Sequence, residues 1–181
     1  MLDQGKIIHD GDVEEGIRLY MQDILEVKQV YEFTGNGDHR LSTGNVTIQK
    51  LELDKPVQGN GDTELKVRMY YQANHKIDGL HLRFTVFDSQ DQVVGTAISD
   101  RFVVNKEDES PVTFTFSTEL LVEGEYSVDL AVVEPLGDRQ LRHAFLRRAM
   151  AFRIESRERL YQLSWISNAW GNVNLGKIMV D

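Results

Sequence analysis

The side chains best suited to chemistry in this 181-residue chain gather toward its C-terminal end. Between positions 139 and 159 stand Arg139, Arg142, His143, Arg147, Arg148, Arg153, Arg157 and Arg159, in a protein whose net charge is -9. A guanidinium presents a planar fork of donors that matches carboxylate and phosphate oxygens. The segment therefore has two readings: ion pairing with the acidic surface elsewhere, or a local site for an anionic group. Tyr70, Tyr161, Trp165 and Trp170 are the second set of candidates. An aromatic face offers apolar area to the C–H side of a pyranose ring. At least one tryptophan is expected in the core or an interface, because the residue buries so much area.

Catalytic and metal chemistry find less support. "GNVNLGK" at 171–177 has the glycine and lysine spacing of a phosphate-binding loop. Ile178 follows, where Mg²⁺ ligation needs Ser or Thr, and the few residues after it leave no room for the helix that holds the phosphates. The five histidines, His9, His39, His75, His81 and His143, include no i, i+4 pair. "GNGD" occurs at 35–38 and 59–62 without the carboxylates of a calcium loop, and both copies read as turns. No serine sits in a nucleophile elbow, and nothing singles out an acid–base pair among the many Asp and Glu. The lack of cysteine excludes disulfides and thiolate chemistry. The negative charge disfavours nucleic acid and anionic lipid as partners. No apolar run approaches the roughly 20 residues that span a bilayer, and no secretory signal is visible.

The elements that must carry these residues are mostly strands. "NVTIQKLEL" (45–53), "TELKVRMYY" (63–71), "LHLRFTVFD" (80–88), "QVVGTAIS" (92–99), "VTFTFS" (112–117), "YSVDLAVVE" (126–134) and "RRAMAFRI" (147–154) are rich in β-branched and aromatic residues and are separated by turn formers. "NVNLGKIMV" alternates enough to be a last strand. In 80–88, Leu80, Leu82, Phe84 and Val86 share one face and His81, Arg83 and Thr85 the other. In 126–132, Tyr126, Val128, Leu130 and Val132 oppose Ser127, Asp129 and Ala131. One apolar and one polar face per strand predicts an all-β, antiparallel two-sheet sandwich.

The N-terminal stretch differs. Residues 1–8 read as the end of a strand with a turn through Gly5. Asp12 with Glu15 has capping-box spacing, and Ile17, Tyr20, Met21 and Ile24 recur at helical spacing, which predicts a short helix over 13–27. Residues 31–43, with no period and many turn formers, read as a linker. The expected division is 1–30, then the linker, then a sandwich domain over 44–181.

Two stretches together resemble one family. "MLDQGKIIHDGDVEEGIRLY" is similar to the last stretch of an ABC-transporter nucleotide-binding domain. "GNVTIQKLELD", "LRFTVFDSQDQVVGTAISD", "VEGEYSVDLAVVE" and "WGNVNLGKI" resemble, in that order, the C-terminal domain of the ATPase subunit in polysaccharide-exporting ABC transporters of the O-antigen (Wzt) type. The resemblance implies an immunoglobulin-like sandwich that binds the exported glycan, a cell-surface polysaccharide or glycolipid such as lipopolysaccharide O-antigen. It implies no catalysis in this stretch and no cofactor of its own, with ATP and Mg²⁺ belonging to an ATPase domain that precedes it. It further implies a homodimer, an exporter transmembrane subunit reached through that domain, and a cytoplasmic position at the inner face of the cell membrane.

The family supplies no ligand motif to carry across, so the candidate site follows from the face assignment. His81, Arg83, Thr85 and Asp129 are expected to line a shallow sugar-binding surface. Arg147 and one of Trp165 and Trp170 would flank it, and Tyr70 is a further stacking candidate. The alternative is a structural module in which 155–181 docks onto another protomer without touching sugar.

Overall fold

The computed structural model describes residues 2–3, 6–7, 11, 26–34, 42–59, 61–106, 110–155 and 171–173. The described chain is all-β. Strands β1 (Leu2–Asp3) and β2 (Lys6–Ile7) form a small antiparallel ribbon; Gly5, where a turn is expected, lies outside the described residues. Most of the predicted helix lies outside the described residues, and its last two positions, Glu26 and Val27, are not helical.

The sandwich is built from two sheets. The first contains β3 (Val30–Glu32), β4 (Val46–Leu53), β6 (Glu64–Ala73) and β10 (Val112–Ser117), in the order β10-β6-β4-β3. The second contains β5 (Val57–Gln58), β7 (Ile77–Phe87), β8 (Val93–Ile98), β11 (Gly124–Leu136) and β12 (Arg139–Ile154), in the order β5-β12-β11-β7-β8. A further strand, β9 (Phe102–Val104), pairs with the start of β7, so β8 and β9 share one side of that long strand. Every pairing is antiparallel except β5 with β12, which is parallel. That one pair departs from the all-antiparallel expectation.

Alternation explains the packing. Leu65, Val67, Met69 and Tyr71 of β6 turn inward, as do Leu80, Leu82, Phe84 and Val86 of β7 and Tyr126, Val128, Leu130 and Val132 of β11. Rings lock the sheets together. Phe84 meets Phe114 at 4.7 Å between centroids, and Phe152 lies stacked on Tyr126 at 5.4 Å and edge-on to Phe116 at 5.8 Å. The buried Tyr126 hydroxyl donates to the carbonyl of Val122 (2.9 Å), which ties the start of β11 to the turn before it. Two glycines are conformationally required. Gly79 (φ 74°) shifts the phase of β7 so that both Ile77 and Leu80 reach the core. Gly137 (φ 60°) opens the two-residue turn closed by the Leu136–Arg139 pair.

The strands missing from the sequence reading are the shortest ones and the first half of β12. Tyr31 and Glu32 fall within the stretch read as linker, yet they pair with Leu51 and Lys50 of β4. The second GNGD stretch closes as a turn: Asp62 accepts the Gly59 N–H through Oδ2 (2.7 Å) and returns its own N–H to the Gly59 carbonyl (3.2 Å).

Along its outer side β12 is held by separate contacts rather than by one neighbour. Arg142 O accepts the Thr43 N–H (2.8 Å), the Tyr31 hydroxyl sits 3.0 Å from both N and O of Ala151, and the Arg153 and Glu155 amides donate to Pro56 and Gln58. Buried His143 lies under the same edge, with Nε2 3.0 Å from Glu134 and Nδ1 3.4 Å from both Thr43 Oγ1 and Asn45 Nδ2. Glu134 and the 43–45 loop thus engage the two ring nitrogens from opposite sides.

Candidate functional site: the outer face of the second sheet

The face of the second sheet that turns away from the core can be read row by row from the strand register. One row runs from His81 to Val133 to Arg142. The next runs from Ile98 through Arg83 and Ala131 to Phe145. A third runs from Thr96 through Thr85 to Asp129, and a fourth from Val93 through Phe87 and Ser127 to Ala151. Adjacent strands in a sheet stand about 4.8 Å apart, so each row sets neighbouring side chains within contact range.

The surface is chemically mixed. Ala131, Val133 and Phe145 form a small apolar cluster on it, separate from the main core. Arg83 reaches across β11 to donate from Nη1 to Gln140 Oε1 (2.8 Å). Its stem thereby covers Ala131 and Val133, which accounts for their burial on an outward face. Arg142 lies over the Phe145 ring, 5.3 Å from its centroid. Burial pushes the Arg83 guanidinium below the usual arginine range, the charge of Arg142 pushes it the same way, and Asp129 opposes both.

A bulge shapes the other end of the face. The register between β11 and β12 shifts between the Val128 and Leu130 pairs, and Arg148 adopts φ 47° there. Asp129 Oδ1 accepts the Arg148 backbone N–H (2.8 Å) and holds this uncommon conformation in place. The Arg148 side chain then folds over the sheet. It stacks on Phe87 at 3.8 Å, donates to Ser127 Oγ (2.9 Å) and pairs with Asp91 in the β7–β8 turn.

Four sequence-predicted residues, His81, Arg83, Thr85 and Asp129, come together on this surface in three consecutive rows. His81 is oriented by Nδ1, 2.7 Å from the carbonyl of Ser99. Arg147 is exposed within the bulge opposite Asp129. Tyr70 is not part of the group. It lies on the outer face of the first sheet, where its hydroxyl donates to Glu52 (3.0 Å) and Lys50 sits over its ring at 4.0 Å. Trp165 and Trp170 lie outside the described residues. Sequence reasoning missed Phe87, Phe145 and Gln140. Extending the alternation of 80–88 by one step finds Phe87. Phe145 and Gln140 carried no such signal, because the arginines of 139–148 hide the strand.

Among the described residues no group of three or more His, Asp or Glu side chains could hold a metal ion, and no helix is long and apolar enough to cross a membrane.

Comparison with known proteins agrees with this architecture. A crystal structure of the C-terminal domain of Wzt matches with a TM-score of 0.58, covering 76% of this chain and 84% of that chain at 10% identity, which speaks to the fold. The sequence finds no match among curated proteins. The family model of the Wzt C-terminal domain matches residues 35–166, well over half of the chain. The chain belongs to the Wzt C-terminal domain family.

Proposed function

We propose that the outer face of the second sheet is a non-catalytic glycan-recognition surface, acting within the ATP-binding subunit of a polysaccharide exporter. Family membership supports the exporter role. The observation that carries the glycan reading is the convergence of His81, Arg83, Thr85 and Asp129 on the outward face of one sheet. Sugar recognition draws on planar hydrogen-bonding groups, and this face offers the His81 imidazole, the Arg83 guanidinium and the Asp129 carboxylate. The sandwich is read as immunoglobulin-like, which the hydroxyl anchor of Tyr126 supports. In this account residues 1–30 are the tail of the ATPase domain, which would hold ATP and Mg²⁺. The working unit is a homodimer engaged with the transmembrane subunit at the cytoplasmic face of the membrane.

Arg83→Ala combined with His81→Ala tests the surface. Each removed polar contact is worth about 1–3 kcal/mol, so affinity for the source cell's surface polysaccharide should fall about tenfold or more. Unchanged affinity in a folded double variant removes this face from the account.

Docking without sugar is favoured by one observation: β8 is the edge of the path, and Val93 and Ile98 on it are 64% and 62% exposed. Deleting 160–181 separates the readings. Docking predicts dissociation to monomers with glycan binding absent before and after, whereas glycan recognition predicts binding by the intact chain.

A further inference from the structure

We infer that the ligand of this surface carries an anionic group, a carboxylate or a phosphate, and that the Arg83–Arg142 pair beside Phe145 receives it. The inference rests on the glycan-recognition reading above and adds the chemistry of what is recognised.

The argument starts from which arginines are already matched. Arg148 is paired with Asp91, and Arg153 with Glu125. These two satisfy the ion-pairing reading of the arginine-rich segment. Arg83 and Arg142 do not. Among the described residues neither forms an ion pair, and the one hydrogen-bond acceptor on Arg83 is the neutral amide of Gln140. A guanidinium carries five N–H donors, so most of the Arg83 fork is uncommitted to protein.

The neighbouring carboxylates are engaged elsewhere. Asp129 holds the backbone N–H of Arg148, Asp91 holds its guanidinium, and Glu134 faces His143. The opposite face of the sandwich handles charge differently. There Glu52 sits with Lys50 and Arg68, so cations share an acidic partner. In a chain of net charge -9, carboxylates are plentiful. Asp129 favours the Arg83 charge through space but forms no ion pair with it, so two neighbouring, partly buried guanidinium groups lack a contacting carboxylate, an arrangement that folding alone does not favour.

An anion resolves it. A carboxylate or phosphate oxygen pair fits the guanidinium fork, and its charge offsets the repulsion between Arg83 and Arg142. The ring of Phe145, buried beneath Arg142, fixes that guanidinium in position by a cation–π contact. Gln140 keeps Arg83 extended across β11 in the absence of ligand, so the receiving group is oriented beforehand.

The test uses the full chain and the surface polysaccharide purified from the cells that encode it. Three forms are titrated: native, with its carboxylates reduced to alcohols, and with its phosphates removed by cold hydrofluoric acid. The native form should bind, and one treatment should weaken binding about tenfold or more, which identifies the source of the charge. Arg83→Gln should bind native and treated forms alike, whereas Lys66→Gln, on the other sheet, should keep the discrimination. Equal binding of all three forms overturns the anion while leaving the glycan surface standing. Binding of none, by a folded chain, overturns the glycan reading and the inference with it.

Discussion

Arg83 is held in a place that does not suit a cation. Its guanidinium is partly withdrawn from water and has Arg142 beside it, which the Gln140 amide oxygen and the more distant charge of Asp129 offset only in part. Its folded-state pKa lies below the ordinary arginine value, so the charged form is less comfortable in the folded protein than in the unfolded chain. Arg83→Met keeps a stem over Ala131 and Val133 and discards the charge. Thermal unfolding should show a midpoint unchanged or raised, while glycan binding is lost. A clear drop in midpoint would instead assign Arg83 a structural task. At this scale the site was partly legible. Strict alternation in 80–88 and 126–132 placed His81, Arg83, Thr85 and Asp129 on one face. Tyr70, a stacking candidate by residue type, belongs to the other sheet, because which sheet a strand joins is a long-range property.

At the scale of elements, β12 is the strand on which the account depends and the one the sequence disguised. It carries Phe145 and Arg142, yet its alternation breaks at two register shifts against β11. A bulge inserts residues that period-two reading cannot accommodate. Only the second half, from Arg147, read as a strand. Its outer side depends on contacts from short segments, and Tyr31 is the clearest of them. The Tyr31 hydroxyl accepts N–H groups from Lys28 (2.8 Å) and Ala151 (3.0 Å) and has the carbonyls of Glu26 (2.9 Å) and Ala151 (3.0 Å) available for its single proton. Tyr31→Phe should lower stability by about 1–2 kcal/mol in chemical denaturation, and the Ala151 amide should exchange faster with solvent. Unaltered exchange at Ala151 would show that the edge is held by other means. Strands β3, β5 and β9 have two or three residues each, too few for any periodicity to register.

For the whole molecule, the sandwich provides two outer faces with different charge arrangements. The first sheet balances Lys50 and Arg68 on Glu52 and is finished as a solvated surface. The second leaves Arg83 and Arg142 without an ion-pair partner among the described residues, next to a buried apolar cluster. Fold class followed from the sequence because alternating patterns repeat in most of the strands. The asymmetry between the faces did not, since it emerges when β7, β11 and β12 are laid side by side. The central claim is that this chain recognises one particular glycan through the second face. Calorimetric titration of the chain with the surface polysaccharide of its own source cells, against unrelated surface polysaccharides, tests it most directly. The account predicts saturable binding to its own polymer and binding weaker by about tenfold or more to the others. Equal binding to all of them, or binding to none, would contradict it.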